Sequence, residues 1–193
     1  MNQTSIMIVG VGGQGTLLAS RLLGAAFLSQ GYDVKVSEVH GMSQRGGSVV
    51  TYVKYGEAIA SPIVDAGEAD YILAFEQLEA ARWLPFLKPG GKLIVNTQRI
   101  DPMPVVIGAA EYPQGIIETL GASDAQVQAL DALSLAEQAG SAKAVNVVLL
   151  GALARHTDIP QEVWLEAVRS TVKPQFAQMN LAAFELGWAN RDG

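Results

Sequence analysis

The sequence predicts an α/β fold: a mostly parallel sheet, an irregular β-β insertion after the second strand, and a helical C-terminal part. Three observations carry this. A glycine-rich turn, "VGVGGQGTLL" from Val9 to Leu18, follows an apolar run and opens a helical pattern. The second and third β-rich runs lie too close together for a parallel crossover. From Leu133 onward, apolar residues recur at helical spacing behind proline-marked starts. Strand, glycine turn and helix in that order make the sheet Rossmann-like.

"SIMIVG" (Ser5–Gly10) is nearly continuously apolar, as a strand buried on both faces of a parallel sheet must be. Leu17, Leu18, Leu22, Ala25, Ala26 and Leu28 then fall near helical spacing, with Gly31 as the stop. "YDVKVSEV" (Tyr32–Val39) supplies the second strand. "HGMSQRGG" (His40–Gly47) leads directly into "SVVTYVKYG", so the second and third strands are expected to be antiparallel neighbours or to diverge. Parallel winding resumes with "YILAFE" (Tyr71–Glu76) as a buried strand, "QLEAARWLPFL" as an amphipathic helix, "KPGGK" as a turn and "LIVNT" (Leu93–Thr97) as a strand. "PVVIGAAEYP" and "VQALDA" (Val127–Ala132) are further strand candidates. "LSLAEQAG", "AKAVNVVLLGALARH", "PQEVWLEAVRSTV" and "PQFAQMNLAAFELGWA" read as helices, the last two opening at Pro160 and Pro174, expected on one face of the sheet.

At 193 residues, 49% of them hydrophobic, the chain is long enough to close a core, and residues 1–193 are expected to form a single domain. A net charge of −6 lacks the basic footprint of a nucleic-acid binder. The absence of cysteine removes disulfides, thiolate nucleophiles and any iron–sulfur cluster ligated by this chain. The two histidines, His40 and His156, lack the paired spacing of a zinc site, so no metal is expected. The first apolar run has no basic flank and is too short to span a bilayer; no membrane association and a cytoplasmic location are the expectation.

Gly10, Gly12, Gly13 and Gly15 permit positive φ and close approach of a ligand, while helix N-terminal amides favour an anion. The same glycines also suit a tight strand-to-helix turn without ligand. Glu38 stands where an acid would meet an NAD ribose, against which the missing crossover helix argues. "HGMSQRGG" gathers His40, Ser43, Gln44 and Arg45 before Gly46 and Gly47 at a strand's carboxyl end, the edge at which open α/β sheets hold ligands. Arg45 offers a planar, permanently charged fork for a carboxylate or phosphate; a solvated loop is the alternative. Glu76 and Glu79 are explained as helix-capping acids, and Asn96, Thr97 and Gln98 end a strand, to bind or to turn. Asn146 and Asn180 lie inside helical patterns and need partners if buried.

Taken together, "IVGVGGQGTLLASRLL", "VSEVHGMSQRGGSVVTYV", "SPIVDAGEADYILAFEQLEAAR", "NVVLLGAL" and "NLAAFELG" resemble the gamma-type subunit of the 2-oxoacid:ferredoxin oxidoreductases, in order over nearly the whole chain. "SEVHGMSQRGG" and "LAFEQLEAAR" are most similar to the beta subunit of the indolepyruvate ferredoxin oxidoreductases. The resemblance implies a subunit of an enzyme that decarboxylates an aryl 2-oxoacid on thiamine diphosphate, passes electrons through iron–sulfur clusters to ferredoxin and releases an acyl-CoA. Thiamine diphosphate, magnesium and the clusters would sit on a large partner subunit, with coenzyme A as cosubstrate. Carried over by position, the family's glycine loop falls on Gly10, Gly12, Gly13 and Gly15, and its second loop on His40 through Gly47. Arg45 and His40 are the candidates for direct chemistry, supported by Ser43, Gln44, Gly46 and Gly47. A gamma subunit for pyruvate, 2-oxoglutarate or ketoisovalerate, a stand-alone NAD(P)-dependent dehydrogenase, and a CoA- or nucleotide-binding module remain open.

Overall fold

The computed structural model describes residues 3–39 and 47–190. Their strands form one six-stranded sheet, built from β1 (Gln3–Val11), β2 (Asp33–Val39), β3 (Ser48–Gly56), β4 (Ala69–Ala74), β5 (Leu87–Asn96) and β6 (Gln126–Leu130) in the order β2-β3-β1-β4-β5-β6. β1, β4, β5 and β6 are parallel neighbours, while β3 runs antiparallel to both β1 and β2. The short connection after β2 therefore does what its length dictates. It returns the chain as an antiparallel strand, inserted between β2 and β1.

The period-2 alternation of the central strands divides the core into two layers. Ile6, Ile8, Leu73 and Ile94 face α1 (Thr16–Ser29), α5 (Ala132–Gln138), α6 (Val145–Ala154), α7 (Gln161–Thr171) and α8 (Pro174–Ala189). Met7, Val9, Ile72, Ala74, Leu93 and Val95 face α2 (Gln77–Trp83) and α4 (Ile116–Gly121). The C-terminal helices thus share one face, as their sequence patterns lead one to expect. That layer is anchored by Phe27, which stacks on Tyr55 at 3.7 Å between centroids and meets the edge of fully buried Trp164 at 5.5 Å. Pairs of this kind add about 0.5–1.5 kcal/mol to the area they bury.

α6 is apolar apart from Asn146 and buried from Asn146 to Ala154, so it behaves as a core helix rather than a surface one. Its contact with α8 is made backbone to backbone. A Cβ on Gly151 would overlap the Phe184 carbonyl, and one on Gly187 would overlap the Val148 carbonyl. Among the described residues no helix is long and apolar enough to cross a membrane.

Two expectations are corrected. "PVVIGAAEYP" is not a strand: its first residues belong to α3 (Met103–Val106), which begins behind Pro102 and is followed by Gly108 at φ +74°. A short run of β-branched residues cannot by itself distinguish a strand from one helical turn. "KPGGK" does not separate two elements. β5 runs through it, with Ala69 paired to Leu87 and Tyr71 to Lys92, so Lys88–Gly91 form an excursion within the strand.

Candidate functional site

The register places Val11, Ala74, Val95 and Leu130 at one edge of the sheet, together with the start of β3 at Ser48. This is the carboxyl edge of the parallel strands, where ligands of open α/β sheets bind.

Here the glycine turn is held from within. Gln14 folds back so that its Oε1 accepts from the Val11 amide at 2.7 Å and its Nε2 donates to the Phe75 carbonyl at 3.0 Å. Gly10 leaves room for this, because a Cβ there would stand 2.8 Å from Gln14 Oε1 and 2.9 Å from Phe75 Cβ. Gly13 and Gly15 adopt φ of +101° and +83°, which side-chain-bearing residues rarely reach. On the far side Asn146, near the start of α6, donates through Nδ2 to the Gly15 carbonyl at 3.1 Å. The Gly12 amide donates to the Gly47 carbonyl at 2.9 Å. That bond joins the two glycine-rich motifs of the sequence at one point, and it engages the Gly12 amide within the protein.

His40, Ser43, Gln44, Arg45 and Gly46 lie outside the described residues; Gly47 is the part of the second motif that falls within them. Immediately after it, the Ser48 hydroxyl donates to Glu79, whose Oε1 accepts from Arg82 Nε at 3.1 Å. The Glu79 side chain is 6% exposed and that of Arg82 52%, so a buried carboxylate holds a guanidinium whose outer part faces solvent.

Glu76 is 1% exposed at the end of β4. Its Oε2 accepts from the Glu79 amide at 3.0 Å and so caps α2. Its Oε1 accepts from the Ile100 amide at 3.2 Å and from the Tyr112 hydroxyl. Burial, followed by that bond to Glu76, pushes the Tyr112 phenol well above its ordinary value. Arg99 lies over the Tyr112 ring at 4.3 Å, and its neighbour Asp101 accepts from Arg99 Nε at 2.6 Å, which raises the guanidinium further. One buried carboxylate therefore ties together the end of β4, the start of α2, the loop after β5 and the segment before α4.

Asn96 performs a similar service one strand over. Its Nδ2 donates to the Phe75 carbonyl at 3.1 Å and to Gln98 at 3.3 Å, while its Oδ1 accepts from the Ala132 amide at 3.2 Å. Of the two readings of the "NTQ" stretch, the structure supports turn-making for Asn96. Between these elements lies a cleft of about 440 Å³, walled by Val11, Ser48, Glu79 and Arg82 on one side and by Pro102, Met103 and Val106 on the other.

Glu38 accepts a hydrogen bond from Ser20 Oγ at 3.2 Å. Because β3 intervenes, β2 is separated from β1 by two strand spacings, on the order of 10 Å. The arrangement in which the acid of an adjacent second strand meets a dinucleotide ribose is thereby lost, and with it the support that Glu38 gave the dehydrogenase reading. Asn180 donates to the Phe176 carbonyl one turn back at 2.8 Å and is a satisfied helical residue. Among the described residues, no group of three or more His, Cys, Asp and Glu side chains converges as metal ligands.

Sequence reasoning passed over the Ser48–Glu79–Arg82 cluster and the Tyr112 hydroxyl. Glu79 and Arg82 sit three apart on a helical pattern and were legible as a pair. Ser48 and Tyr112 reach the site from remote segments and left no local signal.

The chain matches the pyruvate ferredoxin/flavodoxin oxidoreductase family over residues 5–189. It belongs to that family. The indolepyruvate oxidoreductase subunit IorB of Thermococcus kodakarensis is 44% identical to it over 97% of this chain and 95% of the relative. The gamma subunit of a keto/oxoacid ferredoxin oxidoreductase from Geobacter sulfurreducens superposes with a TM-score of 0.73 at 26% identity, covering 96% of each chain. A 28% identical relative, the ketoisovalerate oxidoreductase subunit VorA of Methanothermobacter thermautotrophicus, is longer: the match takes in 98% of this chain and 37% of that one. Members of this family thus occur both as a separate small subunit and as part of a longer polypeptide.

Proposed function

We propose that this chain is the small subunit of a 2-oxoacid:ferredoxin oxidoreductase acting on an aryl 2-oxoacid, with indolepyruvate first among the substrates. It works with a large partner that carries thiamine diphosphate with its magnesium ion and the iron–sulfur clusters, and the complex delivers electrons to ferredoxin. The observation that carries this reading is the near full-length likeness to the indolepyruvate subunits, at 44% identity with more than nine-tenths of both chains covered.

The donor set agrees with that division of labour. A chain without cysteine supplies no thiolate for a cluster. Thiamine diphosphate, when bound by the partner, supplies the carbanion chemistry; the protein around it supplies position, orientation and exclusion of water. This chain's contribution is a stiff carboxyl edge. Gln14, Asn146, Glu76 and Asn96 each fix a different element there, so the loops they hold can approach a partner's site without collapsing. Within this reading Arg45 meets the carboxylate of the oxoacid or a phosphate of coenzyme A. His40, Ser43, Gln44 and the Gly46 and Gly47 backbone support it, and the open face of Gly13 leaves room for a ligand at the glycine turn.

The test is reconstitution. The chain alone is expected to be colourless and inactive toward 2-oxoacids; with its thiamine-carrying partner it should reduce viologen or ferredoxin in the presence of indolepyruvate and coenzyme A. Activity from the pure chain alone, or a complex that ignores indolepyruvate while turning over pyruvate or 2-oxoglutarate, would overturn the reading in its first or second part. Calorimetry should detect no NAD complex of micromolar affinity.

A further inference from the structure

α3 is a single helical turn, yet it concentrates the exposed apolar surface of the carboxyl edge. Met103 is 66% exposed, Val106 65% and Ile107 69%. Three large apolar side chains within five residues make a patch on the order of a few hundred Å², the size of the largest patch on a typical monomer, which often serves a function.

The turn is held firmly in this pose. Val105, on its inner side, packs into the second core layer, and the Val105 and Val106 amides both donate to the Pro102 carbonyl, at 2.8 and 3.1 Å. Just upstream, Ile100 is bound to Glu76. A segment pinned on one side and apolar on the other is preorganised, so little ordering would oppose its burial.

We infer that α3 and the adjoining cleft are the surface on which the large thiamine-carrying partner docks. This rests on the function proposed above. Two observations choose that occupant. The patch is continuous with the cleft through Met103 and Val106, which line it opposite Ser48 and Arg82, so whatever covers α3 also closes over the carboxyl edge. Open α/β sheets hold their ligands at this edge, so a partner that completes a site together with this chain meets it here. Second, in the longer relative this module is continuous with further polypeptide, so some face of it abuts other domains of the same enzyme. Among the described residues, the α3 segment is where three strongly exposed large apolar side chains lie together in the chain. The docked partner buries Met103, Val106 and Ile107, while the half-exposed Arg82, held through Nε by Glu79, offers its remaining donors to a carbonyl or carboxylate at the rim.

The experiment is capture of the assembled complex from its native host through an affinity tag on this chain, with thiamine diphosphate in the eluate quantified as thiochrome fluorescence. The wild-type chain should retain thiamine diphosphate in near stoichiometric amount. Met103→Glu/Val106→Glu, both at exposed positions, should keep the wild-type circular dichroism and melting temperature and lose at least tenfold of the captured cofactor. Met103→Ser/Val106→Ser should lose less. Leu28→Glu, 60% exposed at the far end of α1 and therefore at the opposite edge of the sheet, should capture as wild type does. Undiminished capture by the folded glutamate double variant overturns the docking surface while leaving the proposed function standing. Equal loss from Leu28→Glu overturns it too. Absence of thiamine diphosphate from the wild-type eluate instead overturns the proposed function itself.

Discussion

Asn146 Nδ2 donates to the Gly15 carbonyl at 3.1 Å, a bond between residues 131 positions apart that fastens the core helix α6 to the glycine turn at the carboxyl edge. It also explains why position 15 carries no side chain. A Cβ there would stand 2.6 Å from the same Nδ2, in a backbone conformation, φ +83°, that already disfavours one. Asn146→Ala removes one donor from a carbonyl that keeps the Leu18 amide at 3.1 Å, and should cost about 0.5–1.5 kcal/mol in urea denaturation. Gly15→Ala should cost a similar amount, through both the clash and the strained φ. Since removing the Asn146 amide relieves the clash, the double variant should be destabilised by less than the sum of the two. Additivity within about 0.5 kcal/mol would mean that the two residues do not meet.

The contact of α6 with α8 yields an opposite pair of expectations from one residue type. Gly151 and Gly187 each face a backbone carbonyl of the other helix, which cannot rotate away as a side chain can. Either glycine changed to alanine should force the helices apart and cost about 1–3 kcal/mol, lowering the melting temperature by several degrees. Gly24 lies inside α1 with nothing within 4 Å of where its Cβ would be. Gly24→Ala should therefore stabilise, by up to about 1 kcal/mol, through helix propensity alone. A loss of stability at Gly24, or none at Gly187, in the same thermal scans would contradict this packing.

Much of this architecture was legible because it is local. The apolar run before the turn, the connection too short for a crossover and the proline-led helices are properties of neighbouring residues, and they led to β1 through β3 and to α5 through α8. The turn of helix at Met103–Val106 was misread because β-branched residues favour strands only when a sheet is present to receive them, and here Pro102 and Pro104 set the backbone instead. The site was legible in part. Glu76 and Glu79 were assigned to capping, and Glu76 does cap α2; but its bond to Tyr112, 36 residues away, and the Ser48–Glu79 bond across 31 residues depend on how the chain closes. Asn146 announced only that a buried helical amide needs a partner. Which partner was a question for the tertiary fold.

Alkaline pH offers a check on the packing of both core layers. Burial, above all, raises Tyr55 to about 12, and burial likewise raises Tyr52, Tyr71 and Tyr112 above the ordinary phenol range. For a group whose folded pKa lies above its unfolded one, the associated stability is fully present below the unfolded value and is lost as pH rises through the folded value. For Tyr55 that window runs from about 10 to about 12. Ultraviolet titration of the folded protein should show most phenolate absorbance appearing above the ordinary phenol range, and thermal stability should fall between about pH 10 and about 12 as Tyr55 ionises. Tyr55→Phe keeps the stack on Phe27 and should flatten part of that fall. Phenols that titrate together near pH 10 in the folded chain would be incompatible with their burial.

Arg45 belongs to the proposed function, and its test separates a binding loop from a solvated one. Gly47, two residues after it in sequence, is tied to the glycine turn at the carboxyl edge, where its carbonyl accepts from the Gly12 amide at 2.9 Å. If its guanidinium makes a two-pronged contact with an oxoacid carboxylate or a coenzyme A phosphate, lysine retains the charge but cannot reproduce the fork. Arg45→Ala and Arg45→Lys should then both lower kcat/KM of the assembled enzyme. A charge-assisted hydrogen bond contributes roughly 1.5–3 kcal/mol, which corresponds to a fall of about ten- to a hundredfold. Assembly and melting temperature should stay as in the parent, since the loss is confined to the ligand. Measuring at subsaturating oxoacid and, separately, at subsaturating coenzyme A assigns the contact: the arm in which kcat/KM falls names the partner of the guanidinium. Parental rates for both variants in both arms would remove Arg45 from the site and leave the surrounding glycines with a structural role only.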